Sequence, residues 1–296
     1  MFDLLPQLVV NSLITGSIYA LASAGLALTF GILKILNFAH GHTMMVGAYV
    51  YFLFIVTLGV GMFPAAALTI AFMLILGFLC LNVFIKPFAT SSLLPFVTTV
   101  ALGAILEATI GMVFGVNVQA FSSSFASDSI EFMGVFITPL EILIIGSAIF
   151  ILGIMAIVVH RTSLGRRIRA IAENPAAAEA LGISRKKITT GAFLFSSLLA
   201  AYAGILVGYE TSLQPTMGGG YSIKAFAAMI RGGLGNVWGT VVGAYILGFV
   251  ENLSVGLDFW GYSVPSGYKD AFAFVIILFV LLLRPQGLFG SKGRAA

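Results

Sequence analysis

The sequence predicts an all-α fold, a polytopic membrane helix bundle of about eight spans with one additional short broken or re-entrant segment. Of its residues 59 % are hydrophobic, whereas soluble domains have about 45–50 % apolar residues, and only 9 % are charged. Charge-free runs of the chain also repeatedly reach the length of about 20 residues that a helix needs to cross a bilayer. We therefore expect a single transmembrane domain over residues 1–296.

Eight apolar runs define the predicted spans, which fall at 8–32, 43–59, 64–84, 93–115, 138–159, 188–209, 236–257 and 268–283. A shorter and more polar stretch, 217–232, opens with Met-Gly-Gly-Gly. It is predicted to be either a short crossing or, preferably, a helix broken at membrane depth. The first run has no basic region before it and no cleavage pattern after it, which favours a retained span over a signal peptide.

Basic residues indicate the orientation. The loop 161–187 contains seven of the fifteen Lys and Arg residues. Because cytoplasmic loops carry an excess of these residues, this loop and the basic C-terminal tail are predicted to be cytoplasmic. The stretch 116–137 is acidic and contains no cation, so it is predicted to lie outside, as is the N-terminus. The anchoring cations account for the net charge of +4, so a nucleic-acid partner is not implied.

The basic loop also contains a short predicted helix. Asn174 is suited to cap its first turn, Pro175 to occupy the first helical position, and Gly182 to end it. About two turns of helix are marginal by themselves in water. The alanine-rich surface lets another backbone come close, which favours a docking element. A plain surface helix that links two spans is the alternative.

Two interruptions of the apolar pattern resemble each other. Ala24-Gly25 is followed by a polar break, and Ala203-Gly204 is followed by a second break at a constant offset, which suggests a weak internal repeat. Corresponding interruptions in two halves are typical of a transport pathway, because irregular backbone is tolerated at membrane depth only under cover of protein or water. Chance similarity is the alternative. The pathway candidates from these breaks are Asn37, His40, Gly41, Gln214, Gly218, Gly219 and Gly220.

Two carboxylates lie in apolar spans, Glu107 and Glu251. An ionised carboxylate is costly there, so both are added to the pathway candidates, with Lys224 and Arg231 as possible partners. The alternative is that both carboxylates lie at the membrane boundary and that their side chains extend to water.

Metal and enzyme chemistry are disfavoured. His40 and His42 are two residues apart, which suits neither one helical face nor a zinc pair, and His40 is predicted to bond to backbone at a helix end. The single cysteine, Cys80, excludes an intramolecular disulfide. No nucleophile-and-base arrangement and no phosphate-binding loop is visible, so any ATP that drives transport is expected to bind another polypeptide.

Four blocks in order resemble the permease subunits of branched-chain amino acid ABC importers of the LivH type, namely 25–41, 169–183, 224–240 and 284–290. The resemblance implies a non-catalytic subunit of the bacterial inner membrane that imports branched-chain amino acids by alternating access. It also implies the partners: a second related permease or a second copy, a periplasmic binding protein, and two ATPase subunits that hold ATP and Mg.

The predicted short helix resembles the coupling helix of such permeases, whose general pattern is E-A-A-x-x-x-G. The Glu position of that pattern is occupied by an alanine here. The coupling candidates are Glu173, Asn174, Pro175, Ala176, Ala177, Ala178, Glu179 and Gly182. Permeases for urea or short-chain amides look similar and remain an alternative. An ion-coupled secondary transporter is the alternative of another class.

Overall fold

The computed structural model describes residues 4–89, 93–121, 129–132, 134–256 and 265–269, together with isolated positions from 271 to 287. Within these residues the chain forms ten α-helices and one β-hairpin. Their bounds are α1 Leu5–Leu33, α2 His40–Phe52, α3 Met62–Leu79, α4 Leu94–Phe114, β1 Ile130–Phe132, β2 Val135–Ile137, α5 Pro139–Arg161, α6 Ser163–Glu173, α7 Pro175–Ala180, α8 Arg185–Glu210, α9 Met217–Gly232 and α10 Val237–Gly256.

The predicted membrane helix bundle is confirmed. Among the described residues, six helices are long and apolar enough to span a membrane, and α1, α3, α4, α5, α8 and α10 coincide with six predicted spans. The predicted span 43–59 coincides with α2, which continues into a π-helical segment, Leu53–Thr57. Half of the positions of the predicted span 268–283 lie outside the described residues.

Helix α1 is the centre of the bundle. In its most apolar stretch 89 % of the residues are buried, compared with 33 % for α3, 28 % for α4 and 22 % for α5. Glycines allow α10 to approach it, because Gly16 packs on Tyr245 and Gly248 packs on Gly16 itself. The outer helices therefore present broad apolar surfaces to lipid or to another subunit.

The short helices α2 and α9 follow the two interruptions that the sequence predicts. Helix α9 has 16 residues and is about 24 Å long, less than the about 30 Å of the hydrocarbon core. It is continuous, so the predicted break within 217–232 is absent and the interruption lies before it, at 211–216. Gly218 lies in the first turn without breaking it. The His42 ring occupies the space that a side chain of Gly218 would take.

The two interrupted pairs run in opposite directions. Ile32 near the end of α1 shares a buried cluster with Ala192 near the start of α8, so these two helices are antiparallel. Helices α2 and α9 are antiparallel as well, since the Phe38 ring stacks on the Phe226 ring at 4.3 Å while Gly41 bonds to Ser222. Opposite directions of the two pairs are compatible with inverted repeats, a common architecture of transporters, and the repeat stays a prediction.

The two ends of the bundle are distinct. At one end, Gln7 at the start of α1 forms two hydrogen bonds with the backbone of Phe136 in the hairpin. At the other end, α6 packs against the last turns of α1, and α7 packs on α6 and α8 with Ala178 buried. We call these the hairpin end and the loop end.

Candidate functional site

The start of α2 crosses the start of α9 near the middle of the bundle. The Gly41 N–H donates to Ser222 Oγ at 2.9 Å, and that hydroxyl donates to the Phe38 carbonyl, also at 2.9 Å. A side chain on Gly41 would lie 2.6 Å from Ser222 Oγ and closer still to the Gly218 carbonyl. The positive N-terminal ends of two short helices therefore lie side by side, a combination that favours negative charge nearby.

The other residues of the first interruption hold this crossing in place. The Asn37 side chain is buried and accepts from the Ala39 N–H at 3.1 Å. The ring of His40 bonds to the Ala22 carbonyl at 2.8 Å, as the sequence predicts, and the carbonyl requires that Nε2 carry the proton. Asn37 and His40 therefore fix the backbone of the break through these hydrogen bonds.

One side of α9 is open near its start. A side chain on Gly219 or Gly220 would meet no atom within 4 Å, and Ile223 on the next turn is 45 % exposed. Gln214, in the turn before α9, is exposed. We call Gly219, Gly220 and Ile223 the open face of α9.

His42 and Glu107 lie within hydrogen-bond distance of each other beside the crossing. The distance from His42 Nε2 to Glu107 Oε2 is 3.2 Å, and the carboxylate side chain is 37 % exposed. The imidazole packs between Gly103 and Gly218. The prediction that Lys224 or Arg231 pairs with Glu107 is wrong, because α2 and not α9 supplies its partner.

Glu251 belongs to a separate buried cluster of α1, α9 and α10. Tyr19 Oη donates to Glu251 Oε2 at 2.7 Å, and Lys224 Nζ donates to Tyr19 Oη at 2.9 Å. Lys224 Nζ lies 3.5 Å from the other carboxylate oxygen, so the predicted pairing of these two residues is confirmed. Glu251 is fully buried, which a carboxylate at membrane depth tolerates only with such partners.

Helix α7 has the local structure that the sequence predicts. The Asn174 side chain accepts from the Ala177 N–H at 3.0 Å, Pro175 opens the helix, and Gly182 ends it with φ +81°. Of its alanines, Ala178 is buried, and α7 packs on α6 and α8, which anchors the helix to the bundle.

The outer surface of α7 is free and apolar. Leu181 is 81 % exposed and follows three exposed alanines. The acids Glu173 and Glu179 at its edges are exposed too. We call the four apolar residues the docking face: Ala176, Ala177, Ala180 and Leu181.

The comparisons with known proteins decide the family. The family described as "Branched-chain amino acid transport system / permease component" matches residues 8–281. The chain belongs to this family of permeases. It is 30 % identical to the high-affinity branched-chain amino acid transport system permease protein BraD of Pseudomonas aeruginosa, over 96 % of this chain and 95 % of the relative. The LivH permease protein of Escherichia coli is 28 % identical, with the same coverage of both chains.

A solved structure shows the same fold. The permease superposes with a TM-score of 0.50 on a chain of PsaBC from Streptococcus pneumoniae in complex with Fab, covering 93 % of this chain and 91 % of that chain. Sequence identity is 14 %, so the similarity concerns the fold alone.

The permease brings some predicted pathway residues together and separates others. Gly41 and Gly218 touch at the crossing, and Glu107 joins them through His42. Glu251 lies apart in its own cluster. Sequence reasoning missed His42, Ser222 and Leu181. For Leu181 a signal existed, because it is a large apolar residue directly before the helix-ending glycine of a polar loop.

We expect Gly41→Ala to destabilise the permease by about 3 kcal/mol or more, because its Cβ would force α2 away from α9. The matched control is Gly219→Ala, whose Cβ enters open space in the first turn of α9. That change should be neutral or stabilise the helix by about 0.5–1 kcal/mol. Melting temperatures of the two purified variants check this. Equal melting temperatures would show that the crossing is loosely packed.

Proposed function

We propose that the permease is the membrane-spanning subunit of an ATP-binding-cassette importer of branched-chain amino acids. The relatives BraD and LivH are permeases of high-affinity branched-chain amino acid transport systems, which supports this substrate class. ATP and Mg²⁺ would bind separate ATPase subunits, and a periplasmic protein would deliver the substrate. The permease itself carries no catalytic role in this proposal.

The docking face is the observation that carries the proposal. It is apolar, exposed and on a capped helix whose buried side packs on α6 and α8. An ATPase that moves α7 would therefore act on α8 and on α6, which in turn packs on the end of α1. The orientation follows from the same loop, because its seven cations favour the cytoplasmic side of the inner membrane, with the C-terminus on that side too.

The crossing of α2 and α9 is the proposed centre of the pathway. A substrate carboxylate would be attracted to the two helix N-termini from the open face of α9. Ile223 on that face offers an apolar contact to an aliphatic side chain. Alternating access would result from α1 and α8 moving the two short helices that follow them.

Helix α4 supplies the proposed contact with a second permease. Its outer side carries the small residues Ala101, Ala104, Ala108 and Gly111 next to the half-exposed Glu107. Small residues allow close helix packing in membranes, whereas a carboxylate exposed to lipid is costly. This side of α4 is therefore better suited to another subunit or to a water-filled pathway than to lipid.

The test is reconstitution of the permease with its ATPases, a second permease and the binding protein in vesicles. Leucine, isoleucine or valine should stimulate ATP hydrolysis and enter the vesicles. If only urea or short-chain amides do so, the substrate alternative is correct. If uptake follows an ion gradient without nucleotide, and survives deletion of 173–182, the permease is a secondary transporter and the proposal fails.

The contact on α4 is tested by cross-linking with a thiol- and amine-reactive reagent in a variant whose native cysteine is replaced, Cys80→Ala. Ala104→Cys should cross-link to a second permease, whereas Ile142→Cys, on the exposed side of α5, should not. Cross-linking from α5 alone would place the second permease against α5 and not against α4.

A further inference from the structure

A second candidate site is a cleft at the loop end between α5, α6 and α8. It has a volume of about 390 Å³, and we call it the inner furrow. Its walls are apolar apart from one cation, Lys187, and the lining includes Ile154, Leu164, Ile168, Gly191 and Phe195. Ile154, Leu164 and Phe195 are 44 %, 46 % and 38 % exposed, so the furrow opens on the outside of the bundle. It is separate from the crossing and from the docking face.

The inner furrow continues along α8 toward the middle of the bundle. Phe195 also lines a second apolar cavity of about 290 Å³ between α3, α5 and α8, which extends to Tyr202. The distance from Lys187 to Tyr202 along α8 is about 22 Å at 1.5 Å per residue. The shape is therefore a long apolar slot with a polar end.

Positive charge surrounds the polar end. Lys187 lines the furrow, and Arg185 and Lys186 next to it are exposed. Helix α6 adds the exposed Arg166 and Arg167, while its Leu164 and Ile168 face the furrow. A helix with one basic face and one apolar face lies in the membrane interface, and basic clusters there attract anionic headgroups.

The size of the slot decides between two occupants. One turn of α-helix with its side chains is about 10 Å wide and 5.4 Å long and fills about 400 Å³, so the inner furrow would hold only one turn of a partner helix. An acyl chain is narrower and can extend through both cavities. An apolar tail with an anionic headgroup matches both the walls and the charged end.

We propose that the inner furrow binds one anionic glycerophospholipid, with an acyl chain along α8 and its phosphate bound by Lys187. The lipid would connect α5, α6 and α8 at the base of the loop that carries α7. The proposal does not depend on which substrate the permease transports.

Native mass spectrometry of the purified full-length permease tests it, with phosphatidylglycerol and phosphatidylcholine of identical chains added in turn. The wild-type protein should retain one phosphatidylglycerol, at least 10-fold more strongly than phosphatidylcholine. Gly191→Leu should reduce this retention at least 10-fold, because the leucine enters the slot. Gly191 meets no neighbour and has ordinary helical geometry, so the fold should persist.

Two matched controls make the result specific. Gly146→Leu, at an equally open and exposed glycine on α5 outside the furrow, should retain the lipid as the wild type does. Lys187→Gln should remove the preference for phosphatidylglycerol, whereas Arg185→Gln should change it less than 3-fold. Unchanged retention in Gly191→Leu, or equal retention of the two lipids by the wild type, would overturn the proposal. So would a disulfide between Gly191→Cys and a partner subunit in the assembled transporter.

Discussion

Replacing Leu181 with Asp is expected to lower substrate uptake about 30-fold or more while the permease stays folded. Leu181 is 81 % exposed, and substitutions at such positions usually change the free energy of unfolding by less than about 0.5 kcal/mol. Charging an apolar anchor inside an interface costs about 2–4 kcal/mol of binding free energy or more, which is about 30- to 1,000-fold in affinity. Uptake by cells and the amount of ATPase that co-purifies with the permease measure the effect.

The matched control is Ser184→Asp. Ser184 caps α8 by accepting from the Lys187 N–H at 3.4 Å, and an aspartate can make the same cap while adding the same charge to the loop. Uptake should stay within 2-fold of the wild type. Normal uptake by the Leu181→Asp variant would mean that the docking face does not bind the ATPase. Loss of uptake in both variants would mean that the charge of the loop, and not the apolar contact, matters.

Replacing Glu251 with Ala is expected to destabilise the permease by about 3–5 kcal/mol. The fully buried carboxylate receives a hydrogen bond from Tyr19 and lies 3.5 Å from Lys224 Nζ, whose side chain is only 16 % exposed. Removing one partner of a buried ion pair leaves the other charge uncompensated, which is far more costly than removing both. The melting temperature and the monodispersity of the purified variant measure the loss.

The double variant Glu251→Leu with Lys224→Met separates packing from transport. Both replacements are apolar and similar in size to the original side chains, so part of the lost stability should return. Recovery is only partial because Glu251 also attracts the buried Arg231, which remains in the double variant. If uptake returns with stability, the cluster serves only to join α1, α9 and α10. If the stable double variant does not transport, the ion pair takes part in the transport cycle. A stable Glu251→Ala variant would contradict the assignment of this pair as a buried structural contact.

The docking helix could be predicted almost residue by residue because its determinants are local. A capping asparagine, a proline and a terminal glycine act on backbone within one or two turns, so Asn174, Pro175 and Gly182 have their predicted roles. The six membrane helices were predictable for a similar reason, because length and hydropathy along one segment decide whether it can span a bilayer. The two interruptions were visible as breaks in that same pattern.

The contacts of the site were not predictable in this way. Glu107 pairs with His42, 65 residues away, although the sequence offered Lys224 and Arg231 as cations. His40 and His42 are two residues apart, and the sequence gives no sign of which one faces Glu107 on α4. The glycines of α9 suggested a break, whereas in the structure they are places where α2 approaches or where the surface is open.

By itself, the sequence determined that this protein is a bundle of membrane helices with a capped helix in a basic loop, because hydropathy and capping act over a few neighbouring residues. Only the tertiary structure decided that Gly41 meets Ser222, 181 residues further along, and that the buried side of α7 packs on α6 and α8. Such contacts depend on how the helices pack against one another, and packing is a property of surfaces that several distant segments form together.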